Sequence, residues 1–296
     1  MPNDTLIFSL FGGNTLAQHI SEKLHIPVGE FAIHTFPDEE TLITIQSQVE
    51  NKKIILLALI DRPNTKLTTL FMMADTLRAL GAKQIGLVAP YLPYMRQDKQ
   101  FHPGEGITSA YFANWISARF DWLMTIDPHL HRYPTLNAIY TLPTFVLHAT
   151  KPLAAWIKQN VVQPLLIGPD KESEQWVAEI AKQCEAPFLI VEKTRLGDND
   201  VKSTLPEIAK YPEHTCVIID DIIASGETIL ETIKHCQHAK RIVCLGVHAI
   251  FAGRAYQNLL DTHIDKIITC NTVQHRSNQI DMSELISDAL RDAALR

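Results

Sequence analysis

The stretch Val217-Ile218-Ile219-Asp220-Asp221-Ile222-Ile223-Ala224-Ser225-Gly226-Glu227-Thr228 ends an apolar strand in two carboxylates, and a short loop then opens a helix. Ser225, Gly226, Glu227 and Thr228 present backbone N–H groups and two hydroxyls at that helix N-terminus, a seat for an anion such as phosphate. Asp220 and Asp221 offer only acceptors. They do not bind phosphate, but they accept hydrogen bonds from sugar hydroxyls or hold Mg2+. In open α/β sheets, ligands bind beyond the carboxyl ends of the strands, which is where this stretch would sit. The bland alternative is a capping Ser225 and a solvated acidic turn, and for Asp-Asp alone that is the better reading. The full string favours a ligand. Glu227 sits within the loop, so it must point away from any bound phosphate.

Something must hold this loop at a sheet edge, and the rest of the chain supplies it. Apolar runs at Thr5–Phe11, Lys53–Leu59, Gln84–Ala89 and Trp122–Ile126 read as strands. Helical patterns at Thr15–Leu24, Thr65–Leu80 and Ser109–Arg119 separate them. The alternation then repeats. Phe145–Gln159, Glu172–Cys184, Thr228–His238 and Met282–Leu295 read as helices. Pro164–Ile167, Phe188–Val191, Thr215–Ile219, Arg241–Val247 and Lys266–Cys270 read as strands. This order predicts mainly parallel, helix-covered sheets. Two similar α/β domains are expected, spanning 1–145 and 146–296, with the closing helix able to pack back on the first. The polar stretch Gly197–Ser203 reads as a mobile loop.

Composition bounds the partners. The chain has 296 residues, 46% apolar and 20% charged, an ordinary globular balance. At roughly 150 residues per domain, this length suits two domains, each able to bury a core. There are 27 basic and 33 acidic residues, a net charge of -6, which argues against a nucleic-acid surface. The longest clean apolar run, Ile54 to Ile60, is about a third of a membrane span, so no membrane partner is expected. Asp4 and the lack of early Lys or Arg argue against a signal peptide. The five cysteines form no Cys-x-x-Cys, which suits a reducing cytoplasm. Neither Gly-x4-Gly-Lys-Ser/Thr nor Gly-x-Gly-x-x-Gly occurs, so any nucleotide site must be assembled from separated loops.

The string from Val217 to Thr228 resembles the ribose-5-phosphate loop of type I phosphoribosyltransferase folds. Further motifs resemble those of one two-domain family, the ribose-phosphate diphosphokinases. Phe36-Pro37-Asp38-Glu39-Glu40 is similar to its adenine loop, in which a ring stacks on the base and acids accept from the amino group, often across a subunit interface. Tyr91 to Lys99 is similar to its Pro-Tyr-x-Arg-Gln-Asp-Lys/Arg segment, with Arg96 and Gln97 on ATP. Asp127-Pro128-His129 resembles Asp-Leu-His, where the histidine ligates Mg2+ beside the ATP phosphates. Gly168-Pro169-Asp170 resembles the segment offering a second metal ligand, and Glu192-Lys193-Thr194-Arg195 resembles the Lys-x-Arg of the catalytic loop.

The resemblance implies two phosphoribosyltransferase-like α/β domains. It also implies transfer of the diphosphoryl group of ATP to the C1 hydroxyl of ribose 5-phosphate. Lys193 and Arg195 would be catalytic. Phe36, Asp38, Glu39, Glu40, Arg96, Gln97 and His129 would bind ATP. Arg195, Asp220, Asp221, Ala224, Ser225, Gly226, Glu227 and Thr228 would bind ribose 5-phosphate. His129 and Asp170 would hold Mg2+, and at least a homodimer is expected. Ala224 stands where many members have Asp, and the segment Gly104-Glu105-Gly106-Ile107 looks like the archaeal-type branch. Two alternatives remain: a phosphoribosyltransferase, and a catalytically silent regulatory subunit.

Overall fold

A computed structural model describes residues 4–195, 201–204, 208–236 and 239–294. The chain divides into two compact units, 1–147 together with 282–296, and 148–281. The closing segment therefore belongs with the first unit.

In the first unit, β1 (Thr5–Leu10), β4 (Lys53–Ala58), β5 (Gln84–Val88), β6 (Trp122–Ile126) and β7 (Thr144–Leu147) form one sheet in that spatial order. Every neighbouring pair is parallel. β4, β5 and β6 are almost wholly buried, which is why they read as continuous apolar runs. Helices α1 (Asn14–Leu24), α2 (Leu67–Ala79) and α3 (Thr108–Ser117) contribute buried residues such as Ile20, Leu70 and Phe112. The closing helix α8 (Ser283–Ala289) lies against α1, and Arg291 donates to the Lys23 carbonyl at 2.9 Å.

One hairpin of this unit is not among the strands expected from the sequence. β2 (Phe31–Thr35) and β3 (Thr41–Ile45) form an antiparallel hairpin, with Thr35 opposite Thr41. Its base is held by Phe31, Ile43 and Ile45 against the core, and Phe31 packs on Phe8. Its far end is exposed.

The second unit holds a six-stranded sheet in the order β15-β14-β13-β12-β8-β9. The strands are β8 (Pro164–Gly168), β9 (Phe188–Ile190), β12 (Thr215–Ile223), β13 (Arg241–Ala249), β14 (Lys266–Cys270) and β15 (Asn278–Ile280). All neighbours are parallel. The chain runs outward from β8 to β9, then returns to place β12 on the other side of β8. Strand order reverses there, and such a reversal opens a crevice for ligands at the carboxyl ends of the two strands. A separate hairpin pairs β10 (Glu192–Arg195) with β11 (Val201–Thr204).

Three expectations change. Phe145–Leu147 is not the start of a helix but part of β7, paired with β6; α4 begins at Thr150 and runs to Asn160. A three-residue apolar run after a proline fits either period, and pairing with a buried neighbour decides. The strand expected to stop at Ile219 continues to Ile223, because β13 extends to Ala249 and offers it a ladder. Of the stretch expected as a mobile loop, Val201–Ser203 lies in β11 and 197–200 falls outside the described residues.

Candidate active site

Asp220 and Asp221 lie inside β12 rather than beyond it. The register sets Ile218 beside Ile167 on β8, which carries Asp220 alongside the Gly168-Pro169-Asp170 turn at the strand reversal. The backbone holds each carboxylate. Asp220 Oδ1 accepts from the Asp221 N–H at 3.0 Å, and Asp221 Oδ1 accepts from the Ile222 N–H at 2.7 Å. Asp170 Oδ1 accepts from the Ser173 N–H at 3.1 Å. Burial pushes the Asp220 carboxyl well above the usual range, and the negative charges of Asp221 and Asp170 push it further. The charges of Asp221 and Asp170 thus reach Asp220, and the acceptor-only carboxylates suit sugar hydroxyls.

The loop after β12 is fixed from two sides. Phe251 N–H donates to Ile223 O, and Ala252 N–H donates to Ala224 O, both at 2.9 Å. Gly226 has φ +76°, the left-handed region, and caps α6 (Glu227–His235). There a side chain would strain the turn. Ser225 is exposed, and its hydroxyl lies 3.4 Å from the Glu227 nitrogen. Glu227 lines a cleft on the outer face of α6 with Leu230, Glu231 and Lys234, as i, i+3, i+4 and i+7 neighbours.

The first unit carries the other group of predicted residues. Phe36, Asp38, Glu39 and Glu40 form the tip of the β2–β3 hairpin. Phe36 N–H donates to Glu40 O at 2.8 Å, Glu39 N–H to Phe36 O at 2.9 Å, and Glu40 N–H to Asp38 Oδ1 at 3.3 Å. The Phe36 ring is 41% exposed and meets His34 edge-on at 4.6 Å between centroids. An exposed, backbone-fixed aromatic flanked by carboxylates can stack on a base and accept from its amino group. The β-branched runs on either side of Pro37-Asp38 were the signal for this hairpin, though no strand was expected there.

Arg96 and Gln97 follow β5 and line a cleft of about 600 Å3 with Arg62, Asn64, Tyr91 and Tyr94. Thr108 Oγ1 donates to Gln97 Oε1 at 2.6 Å, which orients the amide. The hairpin tip is not part of this cleft's lining. Sequence reasoning did not single out Arg62 or Asn64, because no pattern marks residues brought together from two loops, and it gave Tyr94, inside the Tyr91–Lys99 motif, no role of its own. His129 follows β6, where Asp127 is buried with φ +37°. His129 Nδ1 and His131 Nε2 are 3.1 Å apart.

His129 falls in the first unit and Asp170 in the second. Among the described residues, no three His, Cys, Asp or Glu side chains form a ready-made metal cage. Lys193 and Arg195 lie on β10, opposite Ser203 and Val201 of β11.

Residues 5–119 match a family model described as the N-terminal domain of ribose phosphate pyrophosphokinase, and residues 136–284 match a phosphoribosyl transferase domain. The chain belongs to the ribose-phosphate pyrophosphokinase family. Curated members of this diphosphotransferase family align over almost the full length. The ribose-phosphate pyrophosphokinase of Saccharolobus solfataricus is 29% identical over 287 residues, covering 94% of this chain and 97% of that protein. The one from Methanobrevibacter smithii is 28% identical and covers 96% of this chain and 100% of its own. Both sources are archaeal, in line with the branch suggested by the motifs. The fold matches the crystal structure of phosphoribosylpyrophosphate synthetase from Mycobacterium smegmatis with a TM-score of 0.85 and 20% identity, over 99% of both chains. Two phosphoribosyltransferase-type domains with mainly parallel sheets are therefore the architecture of this family member.

Proposed function

We propose that this ribose-phosphate pyrophosphokinase transfers the β,γ-diphosphoryl group of ATP to the C1 hydroxyl of ribose 5-phosphate, giving 5-phosphoribosyl 1-diphosphate and AMP. The observation that carries this reading is the strand reversal between β8 and β12. It gathers Asp170, Asp220 and Asp221 beside an amide-rich loop, one arrangement with places for sugar hydroxyls and for a phosphate.

The 5-phosphate takes the amides and hydroxyls of Ser225, Gly226, Glu227 and Thr228, with Ala224 completing the loop. Asp220 and Asp221 accept from the ribose hydroxyls. Phe36 stacks on adenine, and Asp38, Glu39 and Glu40 accept from its amino group. Arg96, Gln97 and His129 meet the phosphates. The chemistry is an in-line displacement at the β-phosphorus. The C1 oxygen forms a bond to phosphorus, the bond to the α-phosphate oxygen breaks, and AMP carries that oxygen away. Such a reaction asks the protein for positioning and charge neutralisation. Lys193 and Arg195 stabilise charge on the transferred group, and Arg195 also reaches the sugar phosphate.

Mg2+ fits the donor set. Burial, and after it the charges of Asp221 and Asp170, raises the Asp220 pKa, and a bound cation would offset that penalty; hard carboxylates are its preferred ligands. His129 is an unusual ligand for it, so the carboxylate of Asp170 would be the better-matched holder. When bound, Mg2+ would neutralise charge on the substrate phosphates, with Asp170 and His129 as the residues that would hold it. The exposed hairpin tip favours an adenine site completed by a second copy of the chain, a homodimer or larger assembly. Five free, buried cysteines suit a reducing cytoplasm.

The test is incubation with Mg-ATP and ribose 5-phosphate. The reading expects AMP and phosphoribosyl diphosphate in a one-to-one ratio. Absence of AMP would overturn it in favour of a silent subunit. Diphosphate release in the presence of a base, with no need for ATP, would favour a phosphoribosyltransferase.

A further inference from the structure

The cleft beside Arg96 has an unusual charge arrangement. Arg62 and Arg96 both line it, on segments more than 30 residues apart. Each has a carboxylate next to it or two residues away, and each of those carboxylates is engaged elsewhere. Asp61 is taken by Lys66, whose Nζ lies 2.5 Å from its Oδ1 and also donates to Leu59 O at 2.8 Å. Asp98, whose side chain is 2% exposed, is taken by Arg132 Nη1 at 2.8 Å. Two guanidinium groups therefore face one cleft with their neighbouring acids already neutralised, in a chain of net charge -6.

The walls are also strained and tied together. Arg62 has φ +50° and Tyr94 has φ +64°, left-handed values that are uncommon for residues with large side chains. Such conformations cost about 1–3 kcal/mol each, persist where the surroundings hold them, and cluster at ligand sites. Here the Tyr94 hydroxyl donates to Asn64 Oδ1 at 2.5 Å, linking the Arg62-Pro63-Asn64 turn to the Tyr94–Gln97 turn across the cleft. Lys66 anchors the same turn through Leu59 O and Asp61. The strain and the cross-link set the two arginines on one opening.

We infer that Arg62 is a second anion-binding residue of the diphosphoryl-donor site, acting with Arg96 on the phosphates of the nucleotide, and that the Asn64–Tyr94 hydrogen bond positions it. This rests on the proposed function, since it names the ATP phosphates as the anion. A planar guanidinium binds phosphate oxygens through paired N–H donors, which a lysine does not reproduce.

The test uses the full chain with Mg2+. Wild-type, Arg62→Ala, Arg62→Lys and Tyr94→Phe are compared by KM for ATP, KM for ribose 5-phosphate, kcat, and direct binding of ATP and of adenosine. Arg62→Ala should raise the KM and Kd for ATP roughly tenfold or more, the size of one lost charge-assisted hydrogen bond. Adenosine binding and the KM for ribose 5-phosphate should stay unchanged. Arg62→Lys should recover part of the loss, and Tyr94→Phe should weaken ATP binding less than Arg62→Ala. Equal loss of ATP and adenosine binding, or no loss of either, would overturn the inference. Wild-type protein that forms no AMP would instead overturn the function on which it rests. Unchanged circular dichroism and melting temperature in Arg62→Ala separate lost contact from lost fold.

Discussion

In the proposed function, the two units handle phosphate ligands in opposite ways. The first unit presents cations, with Arg62 and Arg96 on one cleft and their neighbouring acids Asp61 and Asp98 engaged by Lys66 and Arg132. The second presents carboxylates, with Asp170, Asp220 and Asp221 crowded at a strand reversal and neutral amides left for the phosphate. The sheets explain part of the difference. The first sheet runs β1-β4-β5-β6-β7 with no reversal, so its ligand residues come from the β2–β3 tip and from turns after β5 and β6. The second sheet reverses between β8 and β12, so topology itself opens the crevice. A triphosphate donor suits the cationic side, while a sugar with several hydroxyls suits the acidic side. Net charge is blind to this division.

The largest expected effect lies outside both regions. Lys193 on β10 belongs to neither the cleft nor the acidic turn. Lys193→Ala should lower kcat by about 100- to 1000-fold, while calorimetry shows ribose 5-phosphate binding intact. Near-normal turnover would remove Lys193 from the reaction and leave the division of binding untouched.

The comparison is sharpened by one substitution on each side. Asp221→Asn should raise the KM for ribose 5-phosphate by about 10- to 100-fold, the range for a lost hydrogen bond to a charged group. Phe36→Ala should raise the KM for ATP by roughly tenfold, the scale of base–aromatic stacking. Each should leave the other substrate's KM nearly unchanged. Crossed effects in steady-state kinetics would break the assignment of one substrate to each side.

The carboxylate crowding has a stability signature. Asp220 has a folded-state pKa raised above its ordinary 3.8, so the folded chain binds more protons than the unfolded one between those values. Stability from this group is present at low pH and is lost as pH rises through the raised pKa. Asp220→Asn should flatten that slope and raise the melting temperature at neutral pH by roughly 2–4 °C while impairing activity. A melting temperature that falls would mean that burial and the neighbouring acids do not penalise the Asp220 charge. Activity of the wild type should also drop as pH is lowered through the raised Asp220 pKa, since a protonated carboxyl no longer serves as a full acceptor or metal ligand.

The smallest effect is expected at Glu227. Its side chain lines the outer cleft of α6 with Leu230 and Lys234, so Glu227→Gln should change the KM for ribose 5-phosphate less than about twofold. A large fall in KM would show that the carboxylate faces the phosphate.

Much of this was legible in the sequence, for identifiable reasons. The Val217–Thr228 string was read correctly as a strand, loop and helix, because a buried strand, an acidic pair and a glycine cap each leave a local mark. The extension of β12 through Ile223 was not legible, since it depends on the ladder offered by β13. β7 was read as helix because Phe145–Leu147 is too short to declare a period. The hairpin bearing Phe36 went unseen although its alternating β-branched residues flank a Pro-Asp turn. Arg62 left no mark at all. Its significance lies in Lys66 having taken Asp61 and in Tyr94 reaching Asn64, facts of packing rather than of spacing.

The central claim, that the diphosphoryl group of ATP passes to ribose 5-phosphate, is met most directly by following the β-phosphorus of ATP. With ATP labelled at that position and ribose 5-phosphate present, the label should appear in the 1-diphosphate of the sugar, with unlabelled AMP. Label retained in ADP, with only the γ-phosphoryl group transferred, would contradict it.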